Sequence, residues 1–183
     1  MISRFKNNLN QITVYDLINL FIYEHNLHLP KITSISINIS DSSLVTVKSK
    51  ILSYIYLVRL ITNQTPKETV SRKNKIHLKI KKNSIIGCKV DLNLNRGLEL
   101  LQHIIVFIVP QIKNFSGFSW HKTDHNQITV HIREWYKFIP NNFINKINLF
   151  NKNLSSIQIT IKFKNKYREE AISIINSLNF PVK

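Results

Sequence analysis

The sequence is poor in the residues that build phosphate-binding loops and disulfides: it holds three glycines, one cysteine and one alanine among 183 residues. Neither G-x-x-x-x-G-K-[ST] nor G-x-G-x-x-G occurs, and three glycines could hardly supply one. A single cysteine, Cys88, excludes an internal disulfide and fits a reducing compartment. Acidic residues number ten, and only Glu169 and Glu170 are neighbours. A two-metal nuclease needs carboxylates that converge, and no spacing here recommends that. The longest aliphatic and aromatic run, Ile104–Val109, stops at Pro110, far short of the roughly 20 residues that span a bilayer. The first sixteen residues show no apolar signal-peptide core.

What is abundant is positive charge. Lys and Arg total 26, for a net charge of +16. A charge of that size points to a polyanionic partner, nucleic acid first and an anionic membrane surface second. The apolar share of 43% is enough for a core and argues against disorder. Ile (30), Asn (22) and Lys (20) dominate, all with A/T-rich codons. That bias suits a protein made inside an organelle, a mitochondrion above all, or in an A/T-rich microbe.

Apolar periodicity divides the chain into helices and strands. Residues 13–25 put Val14, Leu17, Ile18, Phe21 and Ile22 on one helical stripe, with Thr13 and Asp16 as a capping box. After Pro30, Ile35, Ile37 and Ile39 alternate with Ser34, Ser36 and Asn38 as a half-buried strand. Residues 43–63 form a helix on Leu44, Val47, Ile51, Ile55 and Val58, ending before Pro66. Ile76, Leu78 and Ile80 alternate with His77, Lys79 and Lys81, and Ile86, Cys88, Val90, Leu92 and Leu94 alternate with polar residues, which predicts a strand pair basic on one face. Leu98, Leu101, Ile105 and Ile108 make a helix seam over 96–109. Residues 114–127 read as loop, 128–133 and 157–163 as strands, and 140–155 as Asn-rich and ambiguous. Tyr167, Ala171, Ile174, Ile175 and Leu178 end the chain as a helix, capped by Asn165.

Every strand therefore has one apolar and one polar face. This predicts an α+β fold: a single domain over 1–183, with an open antiparallel or mixed sheet, helices on one face, and a basic side open to RNA. The region 1–26 is its N-terminal helical part. The open side collects Lys79, Lys81, Lys89, Arg133 and Lys162 with several Ser, Thr and Asn. Such a surface suits an RNA backbone and its sugars. His25 with His28, and His121 with His125, lack cysteine companions, so no metal or other cofactor is expected. Cys88 reads as a small core residue. Trp120, Trp135, Phe115, Phe118 and Tyr136 read as core or interface anchors before base-stacking platforms.

Six stretches in a fixed order carry a resemblance. They are "LPKITSISINI", "NQTPKETVSRK", "LKIKKNSIIGCKVDL", "LLQHIIVFIVPQIKNFSGFS", "IREWYKFIP" and the closing "IQITIKF…EEAISIINSLNFPVK". From about residue 27 onward the chain resembles the large-subunit ribosomal protein five family, which binds 5S ribosomal RNA in the central protuberance. The resemblance implies a curved, mostly antiparallel sheet whose exposed side meets 5S and large-subunit rRNA. It implies a basic loop, Arg72 to Ser84, that reaches the P-site transfer RNA. It also implies contact with small-subunit ribosomal protein thirteen and with neighbouring central-protuberance proteins. Asn38 falls on the family's Asn in the first strand. Lys31, Lys89, Arg96, Lys113, Arg133 and Lys162 are the candidate rRNA contacts; Arg72, Lys73, Lys75, Lys79, Lys81 and Lys82 are the candidate transfer-RNA contacts. The chain departs from the pattern at Ser40–Ser43, where the family is Gly-rich, at His77 and Asn83 in place of glycines, and at Gln111 and Ser116 in place of arginines.

The expectation is a structural, non-catalytic constituent of a mitochondrial large ribosomal subunit, organelle-encoded and without a membrane partner. Its rivals are an organellar endonuclease or maturase-like enzyme and a peripheral membrane protein.

Overall fold

The computed structural model describes residues 9–112, 115–118, 126–138, 156–165 and 167–181, with residue 7. The described residues fall into two compact units: Met1–Ile35, Leu92–Val130 and Thr160–Lys183 form one, and Ser36–Asp91 and His131–Ile159 the other. The principal elements are α1 (Val14–Leu20), β1 (Lys31–Ser40), α2 (Lys50–Thr62), β2 (Lys67–Val70), β3 (Ile85–Leu92), α3 (Leu94–His103), β4 (Gln127–Ile132), β5 (Ile157–Lys164) and α4 (Arg168–Ser177). The five strands form one sheet in the order β2-β3-β1-β5-β4.

β2 and β3 are antiparallel. Thr33 Oγ1 donates to the Lys162 carbonyl, and Asn38 Nδ2 donates to Gln158 Oε1, so β1 and β5 run in opposite directions. The pairs Phe163–Asn126 and Thr129–Thr160 give the same sense for β5 and β4. The alternation expected of the strands holds in part: Ser36 is buried between Ile35 and Ile37, Ile86 is half-buried, and Leu94, expected to continue β3, stands exposed in α3. Ile35, Ile37 and Ile39 of β1, Cys88, Val90 and Leu92 of β3, Ile128, Val130 and Ile132 of β4, and Ile157, Ile159, Ile161 and Phe163 of β5 are all buried.

The sheet is open, with β2 and β4 at its edges, and is not the curved sheet expected. Curvature is made with bulges and glycine kinks. The five described strands contain one glycine, Gly87, and a register shift lies at the outer edge, between Thr69 and Val70.

Gly87 is needed for another reason. A Cβ there would lie 2.1 Å from the Ile39 carbonyl oxygen, so β3 can approach β1 only without a side chain at this position. Gly97 plays the same part in α3, where a Cβ would meet Ile35 Cδ1 at 2.7 Å. That contact seats α3 on the apolar face of β1.

Several boundaries differ from the sequence expectation. The strand expected at 76–81 is absent: Ile76–Leu78 is a single 3-10 turn, and only Lys75 and Ile80 form a bridge. Of its three isoleucine and leucine residues, Ile80 alone is buried. The helix expected from residue 43 begins as a 3-10 turn (Ser42–Val45) and becomes α-helical at Lys50, leaving Val47 exposed. It does end before Pro66, at Asn63 in the left-handed conformation. α1 is shorter than expected, and a π-helical stretch (Leu9–Thr13) precedes it. Thr13 makes no side-chain cap; its hydroxyl donates back to the Leu9 carbonyl. After α3 a π-helical segment (Ile104–Ile108) widens the turn, so that Ile104, not Ile105, is buried. Glu170 accepts the Tyr167 N–H at the start of α4, and Asn165 donates to the Tyr167 carbonyl. Phe118 is buried between Phe115 and Phe180, with ring centroids at 4.8 and 5.2 Å, a core anchor.

The turn after β1 is built on Asp41. Its carboxylate accepts the Ser43 N–H, the Ser43 hydroxyl and the Tyr54 hydroxyl at 2.8, 2.6 and 2.5 Å. Burial alone would raise the Asp41 pKa, but these hydrogen bonds and nearby Lys50 outweigh it and hold the carboxyl below its usual value.

Two outcomes follow. Gly87→Ala is expected to cost about 1–3 kcal/mol in urea unfolding, because backbone must move to admit the methyl. Asp41 has a lowered folded pKa, so its contribution to stability is full above the unfolded value and fades as pH falls through the folded one, below about pH 4. Tyr54→Phe should cost about 1.5–3 kcal/mol at neutral pH and flatten that acid dependence.

Candidate nucleic-acid interface

The sequence run with the highest charge lies between β2 and β3. Arg72, Lys73, Lys75, Lys79, Lys81 and Lys82 are all exposed. Among the described residues none of the six forms an ion pair; the ion pairs are Lys89–Asp91 and Lys137–Glu134. The backbone holds these charges in a defined shape. Ser71 and Ser84 close the base, with the Ser71 N–H on the Ser84 carbonyl and the Asn83 N–H on the Ser71 carbonyl, each at 2.9 Å. Lys75 and Ile80 exchange both backbone hydrogen bonds, at 2.9 and 3.0 Å. Asn74 Oδ1 accepts the Lys82 N–H at 2.6 Å. Lys79 and Asn83 have positive φ, 54° and 65°. Asn tolerates that conformation well, so Asn83 makes the turn that glycine would favour. Ile76 is 87% exposed at the tip, between the cations.

A second feature sits at the end of β2 and β3. Lys67 and Lys89 are register partners across the strand pair. Together with Asn63, Gln64, Thr65, Thr69, Val90 and Asp91 they line a cleft of about 610 Å³. Like charges directly opposite repel. Asp91, two residues along the same strand face, holds Lys89 at 2.8 Å and relieves this. The cleft thus offers two ammonium groups, two hydroxyls and two amides to an anionic or sugar-bearing ligand. On the same strand face, Asn38 is fixed by its bond to Gln158, which leaves the remaining amide groups of both able to face a partner.

The other candidate residues are less uniform. Lys162 is exposed on the polar face of β5, in register with Thr160. Lys31 is exposed at the start of β1, where the alternation is broken: Ile32 is buried and Lys31 and Thr33 are exposed. Lys79 and Lys81, expected on the sheet, lie in the loop instead. Arg96 is exposed in the first turn of α3, where the helix dipole opposes a cation; helix stability does not explain it. Arg133 is exposed just beyond β4. Lys113 lies outside the described residues, as do Trp120 and the His121/His125 pair. The polar face is only sparsely charged, and Ser36 on it is 3% exposed.

Sequence reasoning missed Gln64, Lys67 and Thr69. β2 is four residues long, too short for periodicity to reveal; the sequence hint was the Lys67/Thr69 alternation directly after Pro66.

Cys88 is fully buried, and burial, with Glu68 across the strand pair, pushes its thiol up to about 12, so it stays protonated. Among the described residues no three His, Cys, Asp or Glu stand together as metal ligands. No described helix is long and apolar enough to cross a membrane.

The described residues thus bring together a cationic loop, a largely polar sheet face and a cleft with two lysines. No family model matches the chain. Over 182 residues it is 28% identical to large ribosomal subunit protein uL5 of Neisseria meningitidis and to that of Neisseria gonorrhoeae, and the likeness covers 99% of this chain and 99% of each relative.

Asp91→Asn releases Lys89 from its counter-ion. It is expected to tighten binding of a structured RNA about two- to fivefold at low salt, read by filter binding across a salt series. An unchanged affinity and salt slope would show that Lys89 does not meet phosphate.

Proposed function

We propose that the chain is a structural, non-catalytic protein of the large ribosomal subunit, of the uL5 family, and that it works as one rRNA-binding domain. The observation that carries this reading is the end-to-end likeness to uL5 proteins of two Neisseria species. The fold supports it through a loop with six exposed cations and a polar sheet face suited to sugars and bases.

In this reading 5S and large-subunit rRNA lie against the polar face and the cleft around Lys67 and Lys89. Asn38, Lys162, Arg96, Arg133, Lys31 and Lys113 add contacts. The loop from Arg72 to Ser84 reaches the P-site transfer RNA, and the protein meets small-subunit ribosomal protein thirteen and its central-protuberance neighbours. The work is positioning. Cations neutralise phosphates, and the fixed backbone selects folded RNA by shape. The Ile-, Asn- and Lys-rich composition supports a mitochondrial ribosome. No specific observation favours the nuclease or membrane readings.

A sucrose gradient of organelle lysate at physiological salt tests the assignment: the chain should sediment with large subunits, and a soluble or membrane-bound chain rejects it. The combined Lys79→Glu, Lys81→Glu and Lys82→Glu variant should still sediment with subunits but lose about tenfold or more in transfer-RNA affinity. Equal loss of both would place the loop in assembly instead.

A further inference from the structure

A second cleft, within the unit that holds the N-terminal segment, has the opposite chemistry. It encloses about 740 Å³ between residues 21–29 and the junction of β5 with α4. Phe21, Tyr23, Leu27 and Leu29 supply apolar wall. The acidic groups are Glu24, exposed at the rim, and Glu170, 2% exposed at the floor. Among the described residues Lys164 is the one lysine in the lining. Glu170 is held by the Tyr167 N–H, and burial beside that carboxylate pushes the Tyr23 hydroxyl up to about 12, so a protonated phenol faces it.

Two further observations show what the cleft excludes and what it invites. Residues 7–30 contain no Lys or Arg, in a chain with 26 of them, and contain Asp16 and Glu24. The same stretch concentrates exposed apolar side chains: Ile12, Tyr15, Ile18, Leu20, Ile22 and Leu27, with Ile22 fully exposed and Leu27 83% exposed. Apolar surface continuous with a cleft marks a macromolecular contact rather than a small-ligand pocket. In the described lining a phosphate would meet the exposed carboxylate of Glu24 and a largely apolar wall, with no run of cations to track a backbone, so RNA is the wrong occupant.

We propose that this cleft docks a basic segment of a neighbouring protein, whose apolar side chains cover Ile22 and Leu27 while a lysine or arginine meets Glu24. It is the place where a strongly cationic chain can accept another cation. The proposal rests on the reading that the chain sits in a ribonucleoprotein particle, and it adds a protein contact to the RNA contacts of the loop and sheet.

The test is a photo-reactive benzophenone side chain at Leu27, with a second at Lys79, each in the full chain assembled into particles. The Leu27 probe should join a protein peptide rich in Lys or Arg. Glu24→Lys, at an exposed position that thermal unfolding should find neutral, should cut that yield about three- to tenfold. An RNA adduct at Leu27, a peptide without basic residues, or a yield indifferent to Glu24→Lys overturns the proposal. So does silence at Leu27 while the Lys79 probe reports RNA, an outcome that leaves the ribosomal reading standing. If the chain is missing from particles altogether, both readings fall.

Discussion

β3 can lie against β1 only because Gly87 carries no side chain. The Ile39 carbonyl occupies the space that a Cβ would need. β3 is paired with both β2 and β1, so this contact sets the position of Lys89 in the cleft and of Ile85, where the cationic loop ends. The Asp41 N–H bond to the Ile86 carbonyl continues the pairing into the turn that leads to α2. One close approach therefore fixes the loop base, the cleft and the turn within the same unit.

Charge and fold are handled by different parts of the chain. Isoleucine fills the core, alternating along β1, β4 and β5 with polar residues, uncharged but for Lys162 and Lys164 toward the end of β5. The cations sit mainly where no packing depends on them. Of the lysines in the strands, Lys31 and Lys67 start β1 and β2, Lys162 and Lys164 lie toward the end of β5, and Lys89 keeps a counter-ion beside it. This separation lets a protein of net charge +16 hold a well-packed sheet, with one directly opposed lysine pair, Lys67 and Lys89, eased by Asp91.

The alternation of Ile with Ser, Asn, Thr or Lys made β1, β3, β4 and β5 legible, because burial of one strand face demands it. The same pattern misled at Ile76, Leu78 and Ile80. Three alternating residues make a strand only if a neighbour accepts their hydrogen bonds, and here the chain folds back on itself from Lys75 to Ile80. Helix ends were the weakest readings. The Asp41–Ser43–Tyr54 bonds start the helical region as a 3-10 turn, and a π-helical segment after α3 shifts which isoleucine is buried. Of the candidate site, the loop cations were legible as a run of charge. Lys67 was not, since its role comes from standing opposite Lys89, a relation that appears only once strands pair.

The cationic loop is tied by its own backbone: Ser71 to Ser84, Lys75 to Ile80, and Lys82 to Asn74. Ordering a free backbone costs about 1–2 kcal/mol per residue, and much of that cost is already met when the chain folds. A partner arriving at the loop finds a rigid die rather than a loose thread. Affinity then depends on bonds that touch no ligand, and a polar residue such as Asn74 governs how well its charged neighbours perform.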